Sequence, residues 1–240
     1  MSIPKIDYPT YDIKMPSDNR IITVRPFSVK EEKLLLMAIE AKNMDDVIKT
    51  VKQVINNCVV KGDVNVDRLP FFDIDYLFIF LRAKSIGESV EVTLTCNNTL
   101  EDDTVCGNIF PTQMDVSNIE IERTEGVVDE ISLTDVAGVK MKYPNYASMK
   151  RIEESDMDIK TNMIANAIDY IWDDQGKHPA KESTKEELVD FVESLTEKNY
   201  KKLEEFVDNT PKFAVRLEAK CPKCGFDHKV RYSDFYDFFF

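Results

Sequence analysis

Cysteine is the residue through which this chain could do chemistry, and four of its five cysteines fall into two groups. Near the C-terminus, Cys221-Pro-Lys-Cys224-Gly225 puts two thiols on one tight turn. Far upstream, Cys96 ends an alternating segment and Cys106-Gly107 repeats the Cys-Gly ending. Thiolates are ligands that zinc favours, and a glycine after the cysteine frees the backbone to turn so that N–H groups point at sulfur. Cys96, Cys106, Cys221 and Cys224 together would make a closed tetrahedral site for a structural zinc, with no open position for catalysis. The first pair departs from the usual pattern. Nine residues, NNTLEDDTV, separate Cys96 from Cys106, where about two to four are common. Three readings stand side by side: a zinc ribbon with one widened knuckle, a set in which His228 replaces a cysteine, and a metal-free turn that keeps its thiols.

The fifth cysteine reads differently. Cys58 closes the series Val47, Ile48, Val51, Val54, Ile55, spaced as one apolar stripe of a helix, and is expected to be a small core hydrophobe. No enzyme is expected. The chain has two histidines, His178 in a polar loop and His228, and seven glycines. It has no glycine-rich phosphate loop, nucleophile elbow or zinc-protease motif.

The elements that must position the thiols follow from periodicity. Ser28 and Glu31 have capping-box spacing ahead of a helix over about 29–42, and the stripe ending at Cys58 marks a second. The run DIDYLFIFLRAKSIGE predicts a third, over about 71–85, with Asp73 and Asp75 at its positive end, Arg82 and Lys84 at its negative end and Gly87 after it. From Ser89 the period drops to two: Val90, Val92 and Leu94 lead to Cys96, and further short strands are expected around Ile119 and Ile121, Ile131 and Leu133, and GVKMKY, up to Pro144. Helix is expected again through Met163, Ile164, Ala167, Ile168 and Ile171, ending near Trp172. HPAKES reads as a polar loop. Capping boxes at Thr184–Glu187 and Ser194–Glu197 start two more helices, the last stopped by Asn209 and Pro211. Strands KFAVRLEA and HKVRY flank the C-terminal cysteine turn. The fold class is therefore α+β: a helix-rich protein with a small antiparallel β region bearing the two knuckles. Four segments are expected, 1–88, 89–143, 144–211 and 212–240, with the later helices inserted into the β domain.

Composition bounds the function classes. The chain is 43% apolar and 31% charged, as in ordinary soluble globular proteins. MSIPKIDYPT lacks the basic and apolar regions of a signal peptide, and the longest apolar run, Tyr76 to Leu81, is far short of a membrane span. A cytosolic protein with reduced thiols is expected. The net charge of −13 opposes a nucleic-acid backbone. Residues 212–232 are a local exception, with six cations against two carboxylates, so a zinc-ribbon nucleic-acid-binding or transcription accessory factor is the alternative. The tail YSDFYDFFF crowds Phe235, Tyr236, Phe238, Phe239 and Phe240 at the chain end. They either close this protein's own core or form an aromatic anchor on a partner.

The segments VRPFSVKEEKLLLMA and LRAKSIGESVEVTLTC resemble the T4-type bacteriophage baseplate protein family. ESLTEKNYKKLEEFVDNTPKF, followed by CPKCG and the terminal DFFF, resembles its hub subunit. The resemblance runs from about residue 21 to 240. It implies a structural or assembly role in the central hub of a contractile tail, with other baseplate hub and tail proteins as partners and no catalysis. It also implies a place in the host cytoplasm during assembly and, for a structural part as against an assembly factor, in the virion baseplate; both alternatives stand.

Overall fold

A computed structural model describes residues 7–145, 158–233 and 238. Among them are six α-helices and twelve strands in four antiparallel sheets, an α+β fold. The chain divides into two compact units: unit 1 takes residues 1–66, 72–122 and 212–240, and unit 2 takes 67–71 and 123–211.

Unit 1 opens with β1 (Tyr11–Lys14) and β2 (Ile21–Val24), then α1 (Val29–Glu40) and α2 (Met44–Cys58). The capping box at Ser28 forms as its spacing predicts. Glu31 accepts from the Ser28 backbone N–H and hydroxyl and also holds Arg25 in a two-pronged ion pair. On α2, Val47, Val51, Val54, Ile55 and Cys58 are buried and Ile48 is half-buried, so the apolar stripe is real. Burial pushes the Cys58 thiol up to about 12, which leaves it inert as a nucleophile. The expected helical block is interrupted by β3 (Val59–Lys61), which adds to β2. A strand of three residues, Val59-Val60-Lys61, is too short to carry an alternation that would announce that edge.

The third helix, α3 (Phe71–Ser85), has no polar side, and Phe72, Ile74, Leu77, Phe78, Ile79, Leu81 and Ala83 are all buried. A helix apolar all round must lie inside. Its two buried polar groups are answered: Asp73 accepts from the Ser17 N–H and hydroxyl, and Arg82 donates to the backbone carbonyls of Phe238 and Gly87. β4 (Ser89–Thr95) and β5 (Ile109–Asp115) form a hairpin in register along their whole length. β6 (Glu120–Glu122) pairs with the later segment Lys212–Ala214.

Unit 2 contains β7 (Glu130–Ser132), β8 (Gly138–Met141), α4 (Ile159–Ala167), β9 (Ile168–Asp173), β10 (Gly176–Pro179), α5 (Lys185–Glu193) and α6 (Glu197–Asp208). Its sheet runs β10-β9-β8-β7. Ile131, Val139, Met141, Ile164, Ile168, Val189, Val192, Leu203, Phe206 and Val207 belong to one core cluster. Gly138 is required there by space, since a Cβ would meet the Trp172 ring at 2.5 Å.

Three sequence expectations fail in unit 2. The helix through Trp172 stops at Ala167, because Ile168–Asp173 pairs with β8, placing Ile171 opposite Val139. A β-branched and aromatic stretch took the strand that tertiary pairing offered. HPAKES is not a loop: Gly176–Pro179 completes a hairpin whose turn is tied by Asp173 to the N–H groups of Gln175 and Gly176. The last helix is capped by Thr196, not Ser194. Ser194 ends α5 and its hydroxyl donates back to Phe191, while Thr196 accepts from the Asn199 N–H.

The chain returns to unit 1 through β11 (Lys212–Lys220) and β12 (Asp227–Tyr232), with β11 between β12 and β6.

Candidate metal centre

Two hairpin ends build the site, both within unit 1. At the open end of β4 and β5, Cys96 N–H donates to the Asn108 carbonyl at 2.8 Å and Gly107 N–H donates to the Cys96 carbonyl at 3.0 Å, so Cys96 and Cys106 sit side by side. The nine residues between them turn back on themselves. Thr99 bridges Val105, Leu100 N–H donates to Thr104, and Asp102 accepts from the N–H and hydroxyl of Thr104. The widened spacing is thus a small folded loop set on the knuckle. Between β11 and β12, Cys221 N–H donates to Phe226 and Gly225 N–H donates to Cys221, closing the second turn.

Gly107 (φ 61°) and Gly225 (φ 76°) both occupy the left-handed region, the conformation for which the Cys-Gly ending is suited. Neither faces a crowded neighbour, so conformation and not space is the reason for glycine there.

The four sulfurs converge, all within 4.8 Å of one another. Cys96 Sγ lies 3.6 Å from Cys224 Sγ, and Cys106 Sγ lies 4.0 Å from Cys221 Sγ. These separations are far too long for a disulfide, whose bond is about 2.05 Å. They suit a tetrahedron around one ion, since metal–sulfur bonds of about 2.3 Å give sulfur–sulfur edges of about 3.8 Å. Cys96, Cys106 and Cys221 are buried and Cys224 is partly exposed, beside a recess lined by residues 98–102 and Lys223. An all-sulfur donor set with this geometry could hold a metal ion.

The thiols are not equivalent. Burial pushes Cys96 up to about 12, and the other three thiols add to it. At Cys221 burial works in the same direction, but the N–H groups of Cys224 and Lys223 and the thiols of Cys224 and Cys96 overcome it and bring the group down to about 6. Of these two thiols, Cys221 is the one poised to give up its proton to a cation.

The remaining sequence candidates fall elsewhere. His228 is outside the sulfur cluster, with its ring 5.0 Å from Phe226 and 5.8 Å from Phe110. His178 lies on the exposed hairpin of unit 2, 3.1 Å from Asp173. Phe238 is 1% exposed and packs edge-on to Phe213 and Tyr232, while Arg82 holds its carbonyl. Phe235, Tyr236, Phe239 and Phe240 lie outside the described residues. Of the six cations in residues 212–232, Arg216 and Arg231 converge on Glu122, Lys229 meets Glu218 and Lys223 donates to the Cys106 carbonyl.

Sequence reasoning missed Asn98 and Asn108, whose side-chain amides each reach a cysteine sulfur. The repeated Cys-x-Asn interval was the signal that could have found them.

Fold and site together define an α+β protein whose one metal-competent cluster among the described residues is a corner of four cysteines. No helix of the described residues is long and apolar enough to cross a membrane. The family model for the T4 bacteriophage base plate protein matches residues 8–240, nearly the whole chain, and the protein belongs to that family. No curated protein and no solved structure matches it. Membership makes it a structural component of a phage tail baseplate, carried in the virion among other tail proteins, and points away from an enzyme.

Proposed function

We propose that the protein is a component of the central hub of a contractile-tail baseplate, acting through protein–protein contact, with a structural zinc held by Cys96, Cys106, Cys221 and Cys224. Chain-long membership in the baseplate family carries the reading. The hub assignment rests on the hub-like run ESLTEKNYKKLEEFVDNTPKF with its CPKCG turn and DFFF ending. The converging sulfurs support zinc, because a closed sulfur tetrahedron stabilises a fold and leaves no position for substrate. Zinc here ties residues 96–106 to residues 221–224, segments separated by more than a hundred positions. In this reading the protein is made in the host cytoplasm and docks on neighbouring hub subunits, with Phe235, Tyr236, Phe239 and Phe240 as aromatic contacts and Phe238 turned inward. Nucleic-acid contact gains no support from the geometry, since the arginines of the C-terminal strands are engaged by Glu120 and Glu122.

Cross-linking mass spectrometry of purified tails and of hub assembly intermediates tests the assignment. Cross-links to hub subunits are expected, and links confined to the baseplate periphery would overturn it.

A further inference from the structure

Asparagine follows cysteine at the same interval twice, in Cys96-Asn97-Asn98 and Cys106-Gly107-Asn108. The fold uses both asparagines in the same way. Through the main chain each serves the other's knuckle cysteine: the Asn98 carbonyl accepts from Cys106 N–H and the Asn108 carbonyl from Cys96 N–H, both at 2.8 Å. Through the side chain each crosses to the distant turn. Asn98 Nδ2 donates to Cys224 Sγ and Asn108 Nδ2 donates to Cys221 Sγ, both at 3.7 Å. A thiolate can only accept, so the amide nitrogen must be the atom that faces it.

The turn that carries Cys221 and Cys224 has little else to seat it. Pro222, Lys223, Gly225, Phe226 and Asp227 are exposed, with Phe226 at 44%. Among the described residues, its polar links to the β4–β5 hairpin end are the sulfur contacts, the two asparagine amides and the Lys223 ammonium on the Cys106 carbonyl. A zinc ion with four thiolates is net negative and sits in a largely buried corner, where donors to sulfur stabilise that charge and fix the ligands' directions.

We propose that Asn98 and Asn108 are positioning residues of the metal centre, each holding one thiolate of the Cys221–Cys224 turn at its tetrahedral corner and drawing off part of the charge of the loaded site. The inference rests on the zinc reading above. Neither residue binds the ion; both act through sulfur.

The test uses the full chain, loaded with zinc or with cobalt(II) as a spectroscopic substitute. Asn98→Leu and Asn108→Leu keep the size of the side chain and remove the donor. Each is expected to weaken metal affinity by about 10- to 100-fold in competition with a chelator and to shift the sulfur-to-cobalt charge-transfer band. Asn108→Asp, which places a carboxylate against the Cys221 thiolate, should weaken it further than Asn108→Leu. Wild-type affinity and an unmoved band in all three variants overturn the proposal while leaving the zinc site standing. A wild-type chain that takes up neither zinc nor cobalt overturns both. Should a leucine variant fail to fold, the aspartate variant's charge-transfer band decides the matter.

Discussion

In unit 2, β8, β9 and the helices α4, α5 and α6 bring Val139, Ile164, Ile168, Val192, Leu203 and Phe206 into one apolar core. At the cysteine end of unit 1 Leu94 and Phe110 are buried, but the apolar side chains around the turns are not. Val105 is 60% exposed, Ile109 67% and Phe226 44%, and what converges there is sulfur. Apolar burial is non-directional and spread over many contacts, so a core yields in proportion to what is removed. A coordination site is directional and closed, so losing one ligand removes the whole linkage. Small hairpin ends with too little apolar surface to bury are where a metal contributes most to a fold.

The largest effect should come from breaking the sulfur corner. Cys221→Ser is expected to abolish uptake of about one zinc per chain and to lower Tm by on the order of 10 °C, as should removing the metal from the wild type with a chelator. Cys58→Ser is the matching control, because it should destabilise the α2 core without changing metal content. Equal metal content and an unmoved Tm in Cys221→Ser would place the cysteine end with ordinary turns.

Truncating the other region should cost less and act differently. Phe206→Ala in the core of unit 2 is expected to cost about 3–5 kcal/mol, read by urea denaturation, with metal content intact. A loss of zinc in that variant would break the contrast between the two regions.

The smallest effect sharpens the comparison within unit 1, where the end opposite in sequence to the cysteine turn relies on a charge pair. The Arg25 guanidinium, with the Ser28 donors, holds Glu31 down at about 2 against its ordinary 4.5, in spite of burial. A depressed carboxyl contributes stability that is fully present above its unfolded pKa and is lost as pH falls through the folded one. Glu31→Gln should therefore destabilise by about 2 kcal/mol near neutrality, and the difference from wild type should close as the pH falls from about 4.5 to about 2. Metal loss in acid affects both chains alike and cancels. A difference that stays constant across that range would remove the pair from the account.

Much of this was legible along the chain. The Ser28 and Thr184 boxes, the α2 stripe and the all-apolar α3 are local patterns with a local cause, and they appear where their spacing puts them. β5 was not legible, because Ile109–Asp115 carries a proline and a weak alternation and becomes a strand by pairing with β4 residue for residue. β9 was misread because Ile168 and Ile171 satisfy a helical stripe and a strand equally well until β8 lies beside them. The pair Thr184 and Thr196 also shows the limit of motif spacing: a hydroxyl at the right interval caps a helix only where the preceding backbone is extended, and Ser194 was still helical.

By itself the sequence determined which residues could bind metal and that the two Cys-Gly turns were of one kind, since thiol chemistry and glycine's access to the left-handed region belong to the residues themselves. It also determined the family, through a pattern running almost the length of the chain. Only the tertiary structure decided that sulfurs more than a hundred residues apart meet within 4.8 Å, that His228 stands apart from them and that Asn98 and Asn108 turn toward them. The reason is physical: a residue's chemistry travels with its side chain, whereas a site's geometry is set by which hairpin ends the packed strands bring together, and no local interval encodes that distance.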